Sequence, residues 1–140
     1  MSRIFWDTNL YIYLFEEYGE FSRKVRRLRT TMLARGDQLL TSTLTLGEIL
    51  VKPTEEGKLD LCKRYEVAIT TTSLVVPFDV SAAKLYAALR RDRTLRAPDA
   101  VQLACAGSVG TDLFVTNDAR LHTKTVSGIQ FITSLDQAPI

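Results

Sequence analysis

The chain has 140 residues, 46% of them hydrophobic and 24% charged, with a net charge of +2, the balance of a globular protein with one core. No apolar run is long enough to cross a bilayer, and an acidic residue interrupts the N-terminal segment before a signal-peptide core could form. Two cysteines, Cys62 and Cys105, are too few for a disulfide framework and wrongly spaced for zinc, so we expect reduced, buried thiols in a cytoplasmic protein.

Short apolar runs alternate with longer stretches of helical periodicity, which is typical of parallel strands joined by crossover helices. Predicted strands cover residues 4–6, 38–41, 73–78, 113–116 and 129–132. Predicted helices cover residues 7–15, 20–35, 45–51, 55–70, 80–89 and a segment that begins at Pro98 and ends at Gly107 or Gly110. The third helix is expected to end before Pro53, and Asp79 is expected to cap the fifth. The pattern predicts an α/β fold with a central parallel sheet of about five strands.

Four acidic residues lie where this sheet would bring them together. Asp7 and Asp118 directly follow short apolar strands, and the carboxyl ends of parallel strands share one edge of the sheet. Asp99 lies in the first turn of a helix, where the helix dipole favours an ionised carboxylate. Glu48 lies on the helix after the second strand. We therefore expect the four acids to converge.

Packed carboxylates repel one another unless a cation lies between them. No matching group of basic residues is evident at this edge, so the expected cation is a metal ion. Oxygen ligands favour Mg²⁺, with Mn²⁺ able to substitute, whereas zinc would require histidine or cysteine. The only histidine, His122, is expected in a solvated surface loop.

Each acid also has a structural alternative. Asp7 could cap the helix that follows it. Glu48 could close a capping box with the threonine three residues before it. Asp99 could complement the helix dipole, and Asp118 could begin a turn. The positions of all four at one predicted edge favour a metal site over four separate structural roles.

Four segments together resemble the PIN-domain ribonucleases, and most closely the VapC-type toxins of toxin–antitoxin pairs. These segments are Asp7-Thr8-Asn9, Thr45-Leu46-Gly47-Glu48-Ile49-Leu50, Ala97-Pro98-Asp99-Ala100 and Val115-Thr116-Asn117-Asp118. Their order, spacing and strand context carry the resemblance, which spans residues 4 to about 132. The segment after Asp118 lacks the aromatic residue often found there in the family.

The resemblance implies one PIN-like domain over residues 1–140, with a three-layer α/β/α architecture. It implies an endoribonuclease that uses Mg²⁺ and an activated water, and that acts as the toxin of a type II toxin–antitoxin system. A homodimer and a cognate antitoxin are the implied partners besides RNA. The metal and catalytic ligands would be Asp7, Glu48, Asp99 and Asp118, supported by the side chains of Thr8, Asn9, Thr116 and Asn117.

Two further surfaces are candidates for contacts with these partners. Four arginines just before the Asp99 helix could hold an RNA backbone, although exposed arginines at a helix end are common. They are Arg90, Arg91, Arg93 and Arg96. Apolar and aromatic residues of the first two helices could form a groove for an antitoxin segment, or could simply close the core. They are Tyr11, Leu14, Phe15, Tyr18 and Phe21.

Two other functions are compatible with acids at strand ends. A phosphoryl-accepting receiver domain needs an acidic pair near the first strand, and here Thr8 and Asn9 follow Asp7. That function is therefore disfavoured. The remaining alternative is a catalytically silent PIN-like module that binds RNA or protein. DNA cleavage also stays open, because nothing in a carboxylate site distinguishes the sugar.

Overall fold

The computed structural model describes residues 1–140 and contains five strands and six α-helices. The strands are β1 (Arg3–Trp6), β2 (Gln38–Ser42), β3 (Leu74–Val76), β4 (Thr111–Val115) and β5 (Ile129–Thr133). The helices are α1 (Thr8–Phe15), α2 (Glu20–Arg35), α3 (Thr43–Glu55), α4 (Leu59–Thr72), α5 (Val80–Leu89) and α6 (Ala97–Val109), and a short 3₁₀ helix covers Ala119–Leu121. No helix combines the length and apolar character required to span a membrane.

The strands form one parallel sheet in the order β3-β2-β1-β4-β5. The chain moves outward from β1 through β2 to β3, and then crosses back to place β4 on the other side of β1. Ile4 of β1 therefore lies between Leu39 and Leu113. Ligands of open α/β sheets bind where the strand order reverses in this way. The ends of β1 and β4 are therefore the place to look for a site.

A core lies on each face of the sheet, as the alternating side chains of β1 require. Ile4 and Trp6 face α1 and α2 and belong to a core that includes Met32. Phe5 faces the other way, stacks on Phe114 at 5.0 Å between ring centroids, and belongs to a core with residues of α6. This arrangement confirms the predicted α/β/α layers and the five-stranded parallel sheet.

The boundary between α3 and α4 differs from the prediction. The third helix does not end before Pro53 but continues to Glu55, with Pro53 buried in its last turn. A proline lacks the N–H that a helix interior needs, but one lost bond is tolerated so close to the end. Gly57, with φ of 70°, then turns the chain, and α4 begins at Leu59 rather than at residue 55.

Other predicted features have mixed outcomes. Asp79 caps α5 as expected, because its carboxylate accepts the N–H of Ala82 at 3.0 Å. Cys105 is buried, but Cys62 is only half-buried. His122 is not a freely solvated residue: it is half-buried, and its Nε2 lies 2.8 Å from the carbonyl oxygen of Thr116. Because a carbonyl only accepts, Nε2 carries the proton.

Candidate active site

Asp7 lies at the carboxyl end of β1 and is held by three donors. Its Oδ1 accepts the backbone N–H of Thr8 at 2.8 Å and the amide of Gln102 at 3.2 Å, and its Oδ2 accepts the hydroxyl of Thr116 at 2.7 Å. The bond from Thr8 means that Asp7 does cap α1, but capping uses only one of the three contacts. The pKa of Asp7 is raised by burial, against the effect of these hydrogen bonds, and the negative charge of Asp99 raises it further.

Glu48 joins Asp7 through a shared threonine. Its Oε1 accepts the hydroxyl of Thr8 at 2.6 Å, and the backbone N–H of the same Thr8 bonds Asp7. The capping-box alternative for Glu48 is wrong, because α3 begins earlier than expected. Its N-cap is Ser42, whose hydroxyl accepts the N–H of Thr45 at 3.3 Å. Glu48 is thus left free of the helix end and faces the neighbourhood of Asp7.

Asp99 and Asp118 share two arginines, which the sequence analysis did not anticipate. The guanidinium of Arg120 pairs with both carboxylate oxygens of Asp118, with an Nε–Oδ1 distance of 2.9 Å. Arg96 lies between the two acids, 3.4 Å from Asp99 and 3.9 Å from Asp118. The hydrogen bond from Arg120 holds the pKa of Asp118 below its usual range. The expectation that no basic residues meet the acids at this edge is therefore wrong.

Asp118 also fulfils its structural alternative, because its carboxylate accepts the N–H of Arg120 at 3.1 Å and begins the short 3₁₀ helix. Asp99 lies in the first turn of α6 without bonding its backbone. Both carboxylates remain partly accessible, with side chains 18% and 17% exposed. They can therefore still be reached by a cation from solvent.

The four acids lie in one neighbourhood but do not form a closed cluster. No three acidic, histidine or cysteine side chains approach closely enough to hold one metal ion as they stand. Asp99 and Asp118 are instead held in ion pairs by Arg96 and Arg120. The donor atoms nonetheless suit a hard divalent cation, because all are oxygens and Asp7 keeps a lone pair on Oδ2 beside the one that Thr116 uses.

The four residues expected to support the acids divide into two groups. The Thr116 hydroxyl donates to Asp7, and its oxygen also accepts the N–H of Asp118 at 3.1 Å. The Thr8 hydroxyl donates to Glu48, and the Thr8 backbone N–H donates to Asp7. Asn117 instead accepts the N–H of Leu135 at 3.3 Å and ties the chain after β5 to the loop after β4. Asn9 makes no hydrogen bond to any of the acids. Thr8 and Thr116 are therefore the hydroxyl residues of this site.

Two site residues were missed in the sequence. Gln102 lies one helical turn after Asp99, and Arg120 lies two residues after Asp118. The only available signal was this spacing, since positions i and i+3 share a helix face. A glutamine within a helix and an arginine in a loop are otherwise usual surface residues.

The four predicted RNA-binding arginines are all exposed, and they differ in what they contact. Arg90 lies over the ring of Tyr86, 5.8 Å from its centroid, and donates to the Tyr86 hydroxyl at 3.1 Å. Arg91 donates to the Ala88 carbonyl. Arg96 alone reaches the acids at the sheet edge. It is therefore the arginine of this group that belongs to the candidate site.

A groove adjoins Glu48 between α1, α3 and α4. It encloses about 290 Å³ and is lined by apolar side chains, including Ile12, Phe15 and Ile49, with Glu16 and Lys52 also in its lining. Of the residues expected to form a groove on the first two helices, Phe15 and Tyr18 line this one. Tyr11 is 1% exposed and closes the core instead.

The model of the family described as PIN domain matches residues 4–126. The chain belongs to the PIN domain family. The match covers β1 from Ile4 onward, β2, β3, β4 and all four acids, and ends before β5, so this PIN domain contains its candidate site within the matched region. No curated protein matches the chain.

Solved structures of several toxin–antitoxin complexes contain chains similar to this PIN domain. A chain of VapBC2 from Rickettsia felis, bound to a promoter DNA fragment, is 13% identical with a TM-score of 0.71 and covers 94% of this chain and 98% of its own. The DNA-bound VapBC of Salmonella typhimurium gives 23% identity, a TM-score of 0.67 and coverage of 96% and 99%. A chain of a toxin–antitoxin complex from Klebsiella pneumoniae is 24% identical with a TM-score of 0.66, and the match covers 90% of this chain and 94% of that one. At these identities the likeness establishes the shared fold.

Proposed function

We propose that this PIN domain is a Mg²⁺-dependent endoribonuclease that hydrolyses RNA phosphodiester bonds. The observation that supports it most directly is the environment of the Asp7 carboxylate. This carboxylate is half-buried, held by three donors, and close enough to Asp99 for their charges to repel. A protein that only needed a helix cap would not require a second, partly exposed carboxylate beside it. A cation is what relieves such an arrangement.

Asp7 and Asp99 would hold the ion, with Asp118 and Glu48 completing the site directly or through water. A bound divalent ion polarises a phosphate and lowers the pKa of a water ligand. Thr116 and Thr8 keep the Asp7 carboxylate in one orientation by donating to both of its oxygens. Attack by water would leave a 5′-phosphate and a 3′-hydroxyl, without using the RNA 2′-hydroxyl as a nucleophile.

Arg96 and Arg120 would bind the substrate strand in this proposal. Both guanidinium groups lie beside the acids and keep more than half of their side-chain surface exposed. Arginine forms paired hydrogen bonds to phosphate as readily as to carboxylate. They can therefore exchange a carboxylate for a backbone phosphate when the substrate and the ion arrive together.

The test is cleavage of single-stranded RNA and matched DNA by the purified protein in Mg²⁺, in Mn²⁺ and in EDTA. Asp7→Asn should lower the RNA cleavage rate by more than about 100-fold. Mutating a residue that supports a metal ligand typically lowers affinity or activity about 10–100-fold, and mutating the ligand itself should have a larger effect. Asp112→Asn is the matched control. Its carboxylate accepts the N–H of Arg3 at the opposite edge of the sheet, and full activity is expected. Cleavage that persists in EDTA or in Asp7→Asn would contradict the proposal.

The second candidate function is a catalytically silent module that binds RNA or protein. The ion pairs on Asp99 and Asp118 favour it, since they already neutralise two of the four acids. The same cleavage assay separates the two functions. A silent module would bind RNA without cleaving it, and its affinity would not depend on Mg²⁺.

We further propose that the protein is the toxin of a type II toxin–antitoxin pair and works in the cytoplasm as a homodimer. The similar chains in VapBC and other toxin–antitoxin complexes support a cognate antitoxin as partner. The groove beside Glu48 suits one of its segments, because its apolar walls are edged by three carboxylates, those of Glu16, Glu48 and Glu56, against the two lysines Lys52 and Lys58. An apolar side chain and a nearby arginine or lysine of the partner would match it.

A further inference from the structure

Gln102 is a buried amide at the centre of the candidate site. It lies on α6 one turn after Asp99 and is 3% exposed. A glutamine amide carries two N–H donors and one carbonyl acceptor, and leaving them unpaired in the interior is costly. Its hydrogen bonds therefore determine what this side chain does.

The orientation of the Gln102 amide is determined by Ser42. The Ser42 hydroxyl oxygen accepts the N–H of Thr45, which leaves its hydrogen to be donated to Oε1 of Gln102. Nε2 must then face the other way. It lies 2.7 Å from Thr45 Oγ1, 3.2 Å from Thr8 Oγ1 and 3.2 Å from Asp7 Oδ1. The two N–H groups are thus shared among three oxygens on the Asp7 side.

The hydroxyls of the two threonines beside Gln102 form a chain of hydrogen bonds that ends at Glu48. Thr8 donates to Glu48 at 2.6 Å, so the 3.2 Å contact between Thr8 and Thr45 requires Thr45 to donate. Thr45 can do so because it accepts from Gln102. A directed chain of hydrogen bonds therefore runs from Ser42 through Gln102 and the two threonines to Glu48, with a branch to Asp7.

We propose that Gln102 is a positioning residue that fixes the Asp7 carboxylate for metal binding. This inference rests on the proposed function. Together with the Thr8 N–H, the Gln102 amide occupies both lone pairs of Asp7 Oδ1, and Thr116 occupies one on Oδ2. The single lone pair left on Oδ2 is then the one presented to an ion. Without Gln102, a lone pair on Oδ1 would also be free, and an ion could bind either oxygen.

The test compares metal affinity with stability in Gln102→Met, a variant of similar length with no donor. Binding of Mn²⁺ is measured by calorimetry at a temperature where each variant is folded by circular dichroism. Loss of a residue that supports a metal ligand lowers affinity about 10–100-fold, and we expect a loss in this range. Thr111→Val is the matched control. It removes a buried hydrogen bond to the Ala106 carbonyl at the amino end of β4, and should leave Mn²⁺ affinity unchanged.

A second pair of variants decides the matter if Gln102→Met does not fold. Ser42→Ala removes the anchor of the amide together with the cap of α3, whereas Asp79→Ala removes only the cap of α5. We expect weaker Mn²⁺ binding in Ser42→Ala alone. Mn²⁺ affinity within twofold of the wild type in Gln102→Met, or equal losses in the two cap variants, would overturn the inference. Mn²⁺ binding by Asp7→Asn as tight as by the wild type would instead overturn the metal site on which it rests.

Discussion

At the scale of single residues, Asp7 carries conflicting demands. Burial and the neighbouring charge of Asp99 disfavour its ionised form, while three hydrogen-bond donors favour that form. Such opposing effects on one carboxylate are typical of functional sites, where groups with perturbed pKa values concentrate. Asp118 shows the opposite case, since its pairing with Arg120 favours the ionised form. The pKa values of these two acids are therefore shifted in opposite directions, although both lie at the same edge of the sheet.

The raised pKa of Asp7 predicts how stability depends on pH. In the unfolded chain its pKa returns to the ordinary value of 3.8. The native state then holds its proton more tightly than the unfolded state, so the free energy of unfolding falls as pH rises through the native pKa. Asp7→Asn has no carboxyl group at this position, so its stability should not fall in this way. Measured by urea denaturation in EDTA, its free energy of unfolding should rise relative to that of the wild type between pH 4 and pH 7. A constant difference across this range would contradict the prediction.

Magnesium should raise the stability of the wild type above that of Asp7→Asn. An ion that binds only the native wild type adds about 2.7 kcal/mol when present at 100 times its dissociation constant. Asp7→Asn, without the ligand, should gain little. Thermal melts of both proteins with and without Mg²⁺ measure the effect, and equal shifts would argue against Asp7 as a ligand.

At the scale of elements, the approach of α6 to the loop before β5 depends on two glycines. A Cβ on Gly107 would lie 2.5 Å from the carbonyl oxygen of Ser127, and one on Gly128 would lie 2.1 Å from that of Gly107. Both obstacles are backbone atoms, which cannot turn aside as a side chain can. This contact packs α6 against the loop before β5, and α6 in turn carries Asp99 and Gln102 in its amino-terminal half. The geometry of the site therefore depends on a contact at the far end of its helix.

Gly107→Ala should lower the free energy of unfolding by about 1–3 kcal/mol, the usual cost of overpacking. Gly47→Ala is the matched control on α3, where a Cβ meets nothing within 4 Å. There the substitution should stabilise the protein by about 0.5–1 kcal/mol, because alanine favours a helix interior more than glycine does. Equal effects at the two sites, measured by urea denaturation, would show that the close approach carries no strain.

At the scale of the whole molecule, the parallel sheet and its covering helices create one edge where acids and arginines meet. Arg96 and Arg120 reach this edge from different parts of the chain, whereas Arg90 and Arg91 contact α5. Of the arginines predicted to bind RNA, Arg96 therefore contacts the acids, whereas Arg90 and Arg91 do not. Binding of a polyanion should reflect this difference.

Arg96→Ala should weaken binding of single-stranded RNA and reduce its salt dependence. Each lost phosphate contact lowers the slope of log affinity against log salt by about 0.7. Binding is measured with Mg²⁺ present and with an RNA whose backbone resists cleavage, because Arg96 is expected to leave the acids only when the ion binds. Arg23→Ala, on α2 and paired with Glu20, is the control and should leave the slope unchanged. A slope unchanged by Arg96→Ala would show that this side chain does not contact the backbone.

The toxin proposal predicts that the chain arrests growth when expressed alone in a bacterium. Co-expression with the small gene beside it should restore growth, and the two products should purify together. Asp7→Asn, as a catalytic variant, should be harmless yet still retain the partner. Harmless expression of the wild type, with no bound partner, would contradict the toxin assignment and leave the nuclease proposal standing.

The sequence by itself determined the alternation of strands and helices and the positions of the acids at strand ends. These follow from local patterns of apolar residues, since a strand followed by Asp7 looks the same in any tertiary context. The family resemblance carried by the segments around the acids was also legible in the chain, and the family match confirms it. Boundaries such as that at Pro53 were less predictable, because burial in the last turn compensates for a lost hydrogen bond.

Only the tertiary structure decided which side chains surround the acids. Gln102 lies 95 residues from Asp7 along the chain, and no periodicity relates them. Arg96 and Arg120 meet between Asp99 and Asp118 because α6 and the loop after β4 converge at the switch point of the sheet. Hydrogen bonds and ion pairs of this kind depend on distances of a few ångströms between distant segments. Such distances are set by packing of the two cores, which a linear sequence does not display.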